Sequence, residues 1–579
     1  MNDRELTVEK ALYFLAFFIA LVCRLVHLGQ VPLGDSEAAN ALQAFSISLG
    51  KAGTIASAPG YVVLTGFLFS IFESTDFLAR LLPALAGSLL VFVPLLFRRY
   101  LGRNAAIILA FALALGGGFV ALSRMAGGDS FAVTFLLLAI GLFLNGNQIL
   151  AGICGGLALL GGPMLWPGIV SLGAALLWSK PSAKSYPTEK NEASSSTPLR
   201  WSEWYTQHVS FLLSLALTVV VAGTLFFIVP NGLNGIAGTF VTYLQGWWSG
   251  SQDSGLDMVS RMLIALATYS PLALVFGVAG LAQGLAAKDK VTQFLAKWLL
   301  VAFVLTFAYP AKQTTDVIWL TLPLYAIAAL QVTRWFHLPE KDRLITGGYT
   351  LVVGVLLVFI WLGFLYILVN TDRTTSAVQL RIASIIGASV LIMIVSFLVV
   401  WGWSARVTGY GLLWCLTGVL VIISLGMTGR IVVTNGRPET NLWQPSATPT
   451  DEGLMTQTIN DLSLGHTGVS NDIDIEVSGA DTPALRWAIR DFSNAKFVAA
   501  LTPGSSPSLA ITASKDKPAL NADYRGQDFV MSSSAPWSIM VGEDWLKWLA
   551  WNQVTPQNDT IVLWARNDLF PDVSGGTTP

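Results

Sequence analysis

The stretch GDSEAANALQAFSISLG, residues 34–50, decides how this chain is read. It follows the first long apolar run, residues 11–28, which is long enough to begin a bilayer crossing. It carries two acids, Asp35 and Glu37, and then reads as a helix over residues 38–48. In a chain that lives mostly in lipid, chemistry sits where polar residues gather beside the membrane. A plainer reading uses the same residues. Asp35 or Ser36 would cap the helix, and Glu37 in its first turn would meet the helix dipole.

The composition around this stretch leaves little room for a soluble protein. Of 579 residues, 53% are hydrophobic and 12% charged, where soluble chains average about 25% charged. The mean hydropathy of +0.61 agrees. A net charge of −1 with scattered basic residues excludes nucleic-acid binding as a main role. Cys23, Cys154 and Cys415 lie in apolar runs and read as small hydrophobes, not as a disulfide framework. His27, His208, His337 and His466 are isolated, so no zinc spacing occurs. There is no P-loop or dinucleotide-binding fingerprint.

Working outward, residues 11–28 form an uncleaved first span, with Arg24 and His27 snorkelling at its end. Residues 61–72 cover only about 18 Å as a helix, against a hydrocarbon core of about 30 Å. They are therefore interfacial. The next span, 81–97, ends in Arg98, Arg99 and Arg103, which belong on the cytoplasmic side. Residues 29–80 then form one outer loop with interfacial helices. Further spans are 105–122, 131–144, two within 149–178 meeting at Gly161-Gly162-Pro163, then 209–229 and 262–281. The series ends with 298–309 (starting as early as 294), 317–332, 344–369, 382–403 and 409–427. Residues 180–206, rich in Ser, Pro and charge, read as a cytoplasmic linker.

The fold class is thus a polytopic α-helical membrane protein of about thirteen spans. It sits in the plasma membrane with a cytoplasmic N-terminus. Residues 430–579 are polar and form an extracytoplasmic α/β domain. Strands are expected at 472–479, 495–501 and 560–566, and helices at 483–492 and 543–551. Its tryptophans, Trp487, Trp545, Trp548, Trp551 and Trp564, read as that domain's own core. The segment TPALRWAIRDF, 482–492, has no evident chemistry.

Three acidic positions stand out on the outer side, Asp35, Glu37 and Asp129, accompanied by Arg80 and Arg124, with Lys312 in the later loop YPAKQTTD. Carboxylates serve as general bases or hold divalent cations. Arginine and lysine hold phosphate. Together they suit transfer of a group from a lipid phosphate. Plainer roles are helix capping for Asp129 at the helix near Phe131, and interfacial anchoring or pairing with a nearby acid for the arginines. Trp247 and Trp248, in QGWWSGSQDSG, read as belt residues in an outer loop, with sugar stacking as the alternative.

In this order the features resemble the GT-C superfamily of membrane glycosyltransferases, nearest to the protein O-mannosyltransferase and aminoarabinose-transferase branch. The resemblance rests on GDSEAANALQA, PGYVVLTGFLFSIF, ARLLPALAGSLL, LALGGGFVALSRMAGGDSFAVTFLLLAI and KQTTDVIWLTLPLYAIAAL, and covers roughly residues 10–335. It implies a GT-C domain over 1–429 and a polyprenyl-phosphate sugar as donor. It implies an extracytoplasmic hydroxyl as acceptor and inversion at the anomeric carbon. Glu37 or Asp35 would take the acceptor proton, Arg80, Arg124 and Lys312 would hold the donor phosphate, and Asp129 would bind a divalent cation, Mg or Mn. The family's adjacent Asp-Glu is interrupted here, because Ser36 separates Asp35 from Glu37. The oligosaccharyltransferase branch fits less well, since its Trp-Trp-Asp signature is missing from residues 430–579. A transporter of lipid-linked glycan and a non-catalytic scaffold with an outer binding domain are the competing readings. Almost no midplane charge and no evident internal repeat argue against transport.

Overall fold

The computed structural model describes residues 3–51, 55, 58–179, 201–249, 256–335, 343–370, 374–433, 438–444, 447–513 and 517–570. Most of the linker expected at 180–206 lies outside them. Its last residues already belong to the helix Trp201–Thr224.

Each of the thirteen apolar stretches is helical. By length and apolarity, six helices among the described residues suffice to cross a membrane, or eight if each of two bent pairs crosses once. The last three, Arg343–Val369, Ser376–Gly402 and Ala405–Val432, have 27, 27 and 28 residues and bury few of their side chains inside the protein. Such helices belong against lipid. Thr314–Trp335, by contrast, is 83% buried and forms the centre of the bundle.

The stretch expected as one span at 262–281 is two helices, Leu256–Tyr269 and Pro271–Ala286. Their axes bend by 91° at the break. Pro271 lacks an N–H and disfavours helical geometry at Ser270, which explains the interruption. Arg103–Leu115 and Gly117–Ser123 bend by 54° about Gly116. Residues 149–178 divide into Gln148–Leu159 and Leu165–Ser179, on either side of the Gly-Gly-Pro turn.

Arg24 does not snorkel. It is fully buried and donates to Ala20 O, Ala114 O and Leu113 O, the last two at the end of the helix Arg103–Leu115. Those carbonyls have no partner within their own helix, and the guanidinium supplies one.

The C-terminal part carries a mixed five-stranded sheet of order β2-β1-β3-β5-β4, with β1 Ile475–Ser478, β2 Ala495–Val498, β3 Leu509–Thr512, β4 Tyr524–Ser534 and β5 Gln557–Arg566. β1 runs parallel to β2 and β3, and β5 antiparallel to β3 and β4. β1, β2 and β5 lie where the sequence places strands. β3 and β4 were not anticipated, nor was the helix Glu452–Thr467.

This part is docked on the membrane helices through the segment left without a role. In the helix Pro483–Ala488, Ala484 N donates to Asp35 Oδ1 at 3.0 Å. Trp487 Nε1 donates to Asp76 Oδ1 at 2.7 Å, and Arg490 donates to Ser74 O at 2.6 Å while lying over the Trp487 ring. Trp487 is fully buried among Phe45 and Phe69, and Trp548 packs on Tyr269. These two tryptophans therefore fill the junction, not the core of the C-terminal part.

Glu452 lies beside this junction, 8% exposed, with Oε2 lacking a hydrogen-bond partner among the described residues. Burial first, and then the nearby Asp76 carboxylate, pushes its carboxyl up to about 8 from an ordinary value of 4.5. The folded state thus holds a proton that the unfolded state releases at lower pH. Its stabilising contribution is complete below about pH 4.5 and falls as pH rises towards 8, levelling off above that. Melting of the C-terminal part should move to lower temperature between pH 5 and pH 9, and Glu452→Gln should flatten that slope. An unchanged slope in the variant would refute the assignment.

Candidate active site

Glu37 and Arg80 form the fixed point of the site. Glu37 is 3% exposed and Arg80 4%. Arg80 Nε donates to Glu37 Oε1 at 2.8 Å and Nη2 to Oε2 at 2.7 Å, a two-pronged pair. The remaining guanidinium hydrogens reach Leu28 O, Val31 O and Pro32 O. A guanidinium has five N–H donors, and all are engaged here. Glu37 Oε1 also accepts from Ala126 N at 2.8 Å, and Asn40 Nδ2 donates to Ala126 O at 3.2 Å. The pair thus ties the chain after the first helix, the helix Asp35–Ser48 and the loop 124–128 into one body. Of the readings open from sequence, Arg80 takes that of partner to a nearby acid.

Asp35 is the first residue of its helix, and the N-cap position belongs to Gly34. Its carboxylate accepts from Ala484 N and does not line the cavity described below. Arg124 Nη1 donates to Cys23 O, Arg24 O and Val26 O, and Nη2 to His27 O, closing the end of the first helix. Lys312 is 7% exposed, and among the described residues its ammonium makes a single long hydrogen bond, 3.4 Å to Tyr309 O. Of the three cations expected at a phosphate, Arg80 has every donor engaged, whereas Lys312 uses one of its three N–H donors among the described residues.

Two cavities meet at the Glu37–Arg80 pair. The smaller, about 470 Å³, is lined by His27, Glu37, Arg80, Arg124, Asn441 and Gln444 among others. It does bring Arg80 and Arg124 together. The larger, about 1850 Å³, has Glu37, Asn40, Asp129, Tyr243, Tyr309 and Asp316 in its wall. Ala311 and Gln313, which flank Lys312 in sequence, line it as well.

Asp129 enters this cavity because of how its helix starts. The helix Asp129–Leu144 begins at Asp129 itself after Gly128, and the carboxylate makes no cap. A Cβ at Gly128 would collide with Gly161 O, so only glycine lets the loop lie against the Gly-Gly-Pro turn. The Asp129 carboxylate has no hydrogen-bond partner among the described residues and is half-buried. Asp316, in the 3₁₀ turn Thr314–Val317, accepts from Gln313 N at 2.8 Å through one oxygen. It lines the same cavity and feels the charge of Asp129. Sequence reasoning passed over Asp316, although it lies four residues after Lys312 in the quoted KQTTDVIWL and meets the same criterion as the other acids.

Trp247 and Trp248 belong to the helix Gly232–Ser249, not to a loop. Trp247 packs on Tyr309, and Tyr243 stacks on Tyr309 at 5.2 Å, giving the cavity an aromatic side. Among the described residues, no three His, Cys, Asp or Glu side chains gather closely enough to hold a metal ion by themselves.

Two neighbouring carboxylates, an aromatic wall and a lysine on the adjoining loop can take up a proton and hold a sugar phosphate. No family model matches the chain, and no curated protein does. Among solved structures, the chain shares the fold of ArnT along nearly its whole length. ArnT from Cupriavidus metallidurans bound to undecaprenyl phosphate superposes with a TM-score of 0.52 at 12% identity, covering 99% of this chain and 100% of that one. Its apo state gives 0.50 at 13%, covering 98% and 99%. An Archaeoglobus fulgidus oligosaccharyltransferase in complex with Zn and sulfate reaches only 0.37 at 14%, over 84% of this chain and 62% of that one.

Glu37→Gln would leave the Arg80 charge buried against a neutral amide. Thermal unfolding of the purified protein should show a loss of about 3–5 kcal/mol, part of which Glu37→Gln combined with Arg80→Met should restore. Asp35→Asn should cost about 1 kcal/mol. Equal, small losses in all three would contradict a structural role for the pair.

Proposed function

We propose that this chain is a membrane glycosyltransferase that moves a sugar from a polyprenyl-phosphate donor to an acceptor hydroxyl, with inversion, in the larger cavity. The observation that carries this reading is the placement of Asp129 and Asp316 in the wall of one 1850 Å³ cavity beside the loop of Lys312. The fold shared with an ArnT that binds undecaprenyl phosphate supports the class of donor. In this reading all thirteen helical stretches cross the plasma membrane, the N-terminus is cytoplasmic and residues 430–579 are extracytoplasmic. The acceptor is a protein, lipid or glycan.

Because Glu37 and Asp35 are engaged, the proton acceptor is assigned to the Asp129–Asp316 pair. One carboxylate takes the proton from the acceptor O–H. The acceptor oxygen attacks the anomeric carbon from the face opposite the phosphate, and the bond from that carbon to the phosphate oxygen breaks. The lipid phosphate leaves with the electron pair, and the Lys312 ammonium offsets its charge. Mg or Mn suits such a place, since Mg usually takes one or two carboxylates together with substrate phosphate oxygens. Held by the carboxylate of the pair that does not take the proton, such a cation would stabilise the leaving phosphate.

Radiolabelled transfer from a panel of polyprenyl-phosphate sugars, in membranes carrying the protein, tests this directly. Asp129→Asn and Asp316→Asn should each lower transfer about 10²–10⁴-fold without loss of folded protein. Lys312→Met should raise the donor concentration needed for half-maximal rate. Undiminished transfer in the double Asp variant would sink the assignment. Passage of the lipid-linked sugar across vesicles with no glycosidic product would favour a transporter instead.

A further inference from the structure

The helix Gly542–Trp551, sequence GEDWLKWLAW, is amphipathic, but its two faces do not follow the usual division into core and water. Trp548 is buried against the membrane bundle, and Trp537, Met540, Trp545 and Leu549 pack beside it. Trp537 stacks on Trp545 at 5.5 Å. The approach to the helix leaves Ile539 69% exposed and Val541 63% exposed. Leu546 and Trp551 are partly exposed at opposite edges of the helix, with the Glu543–Lys547 pair between them. Large apolar side chains open to water beside the end of a membrane helix need a cover.

The contacts of this helix say what the cover is. Arg430, in the last turn of Ala405–Val432, donates to Trp548 O, Leu549 O and Ala550 O. That fastens the end of the short helix to the end of a membrane helix. The short helix also touches Arg343–Val369, a helix only 11% buried that faces lipid. Its level is therefore the level at which apolar helix surface gives way to headgroups. The charges near its outward face are settled locally. Glu543 pairs with Lys547 at 2.9 Å, and Asp544 accepts from Val541 N. Tryptophan-rich amphipathic helices with paired charges suit the interfacial layer of a bilayer.

We propose that the segment 536–551 lies in the headgroup layer, with Ile539 and Val541 inserted among the upper acyl chains and the Glu543–Lys547 pair among the headgroups, as a second membrane attachment of the C-terminal part. The partner is the bilayer itself. The inference rests on the chain's being embedded in a membrane but not on its catalysing sugar transfer.

An environment-sensitive NBD label on Ile539→Cys, and separately on Val541→Cys, reads this out in the full chain with Cys23, Cys154 and Cys415 replaced by Ala. The protein is reconstituted in phosphatidylcholine nanodiscs, and Lys517→Cys serves as an exposed loop control. Both labels should emit at shorter wavelength than the control. Brominated lipid should quench them more strongly than aqueous iodide does, with the order reversed at Lys517→Cys. Iodide quenching at both positions equal to that of the control would overturn the proposal. It would mean that the face is open to water or awaits a protein partner. Sugar-transfer activity plays no part in either outcome, so this inference and the proposed function fail separately.

Discussion

The Glu37–Arg80 ion pair is the constraint on which the rest of the site depends. A buried pair of charges is tolerated only when its geometry is good and its remaining donors and acceptors are satisfied. Here one guanidinium closes two bonds to a carboxylate and three to the carbonyls of residues 28, 31 and 32, and the carboxylate takes a further amide from Ala126. All five guanidinium donors are engaged within the protein. The consequence of the pair is positional. It holds the loop 124–128 against the helix Asp35–Ser48, and so sets where the helix of Asp129 begins. The pair is also the wall between a small cationic cavity and a large carboxylate-bearing one.

Arginine does the same job elsewhere in the molecule. Arg24, Arg124 and Arg430 each donate to two or more carbonyls near a helix end. The last carbonyls of a helix have no partner inside it, and water cannot reach them readily in a lipid-embedded bundle. A planar cation with several donors satisfies a group of them at once. A sparse set of basic residues in an apolar chain is therefore not automatically a set of phosphate ligands. Lys312 differs, since its ammonium is buried with one long bond and sits on a loop at the cavity's edge.

What could be read from sequence followed from local physics. Apolar runs marked the helices, the Gly-Gly-Pro turn marked the division within 149–178, alternating apolar residues marked β1, and a short continuous apolar run marked β5. The break at Ser270-Pro271 was legible in principle from the residue before proline, but the run 262–281 is uniformly apolar and hid it. The roles of the polar residues were harder to read, because each depends on a partner far along the chain. Asp35 meets Ala484, and Trp487 meets Asp76. No periodicity encodes those meetings. Asp316 is a different case: the criterion that picked out Asp129 would have picked it out too, had the loop been searched for acids as well as for a lysine.

The central claim is that substrate phosphate and sugar occupy the Asp129–Asp316 cavity beside Lys312, while Glu37 and Arg80 only hold its wall in place. A cryo-electron microscopy map of the full chain with a bound polyprenyl phosphate tests it most directly. Phosphate density against the 309–316 loop, with the Glu37–Arg80 bonds intact, is the predicted result. Phosphate density in the smaller cavity against Arg80 and Arg124, with Glu37 released from its arginine, would contradict it.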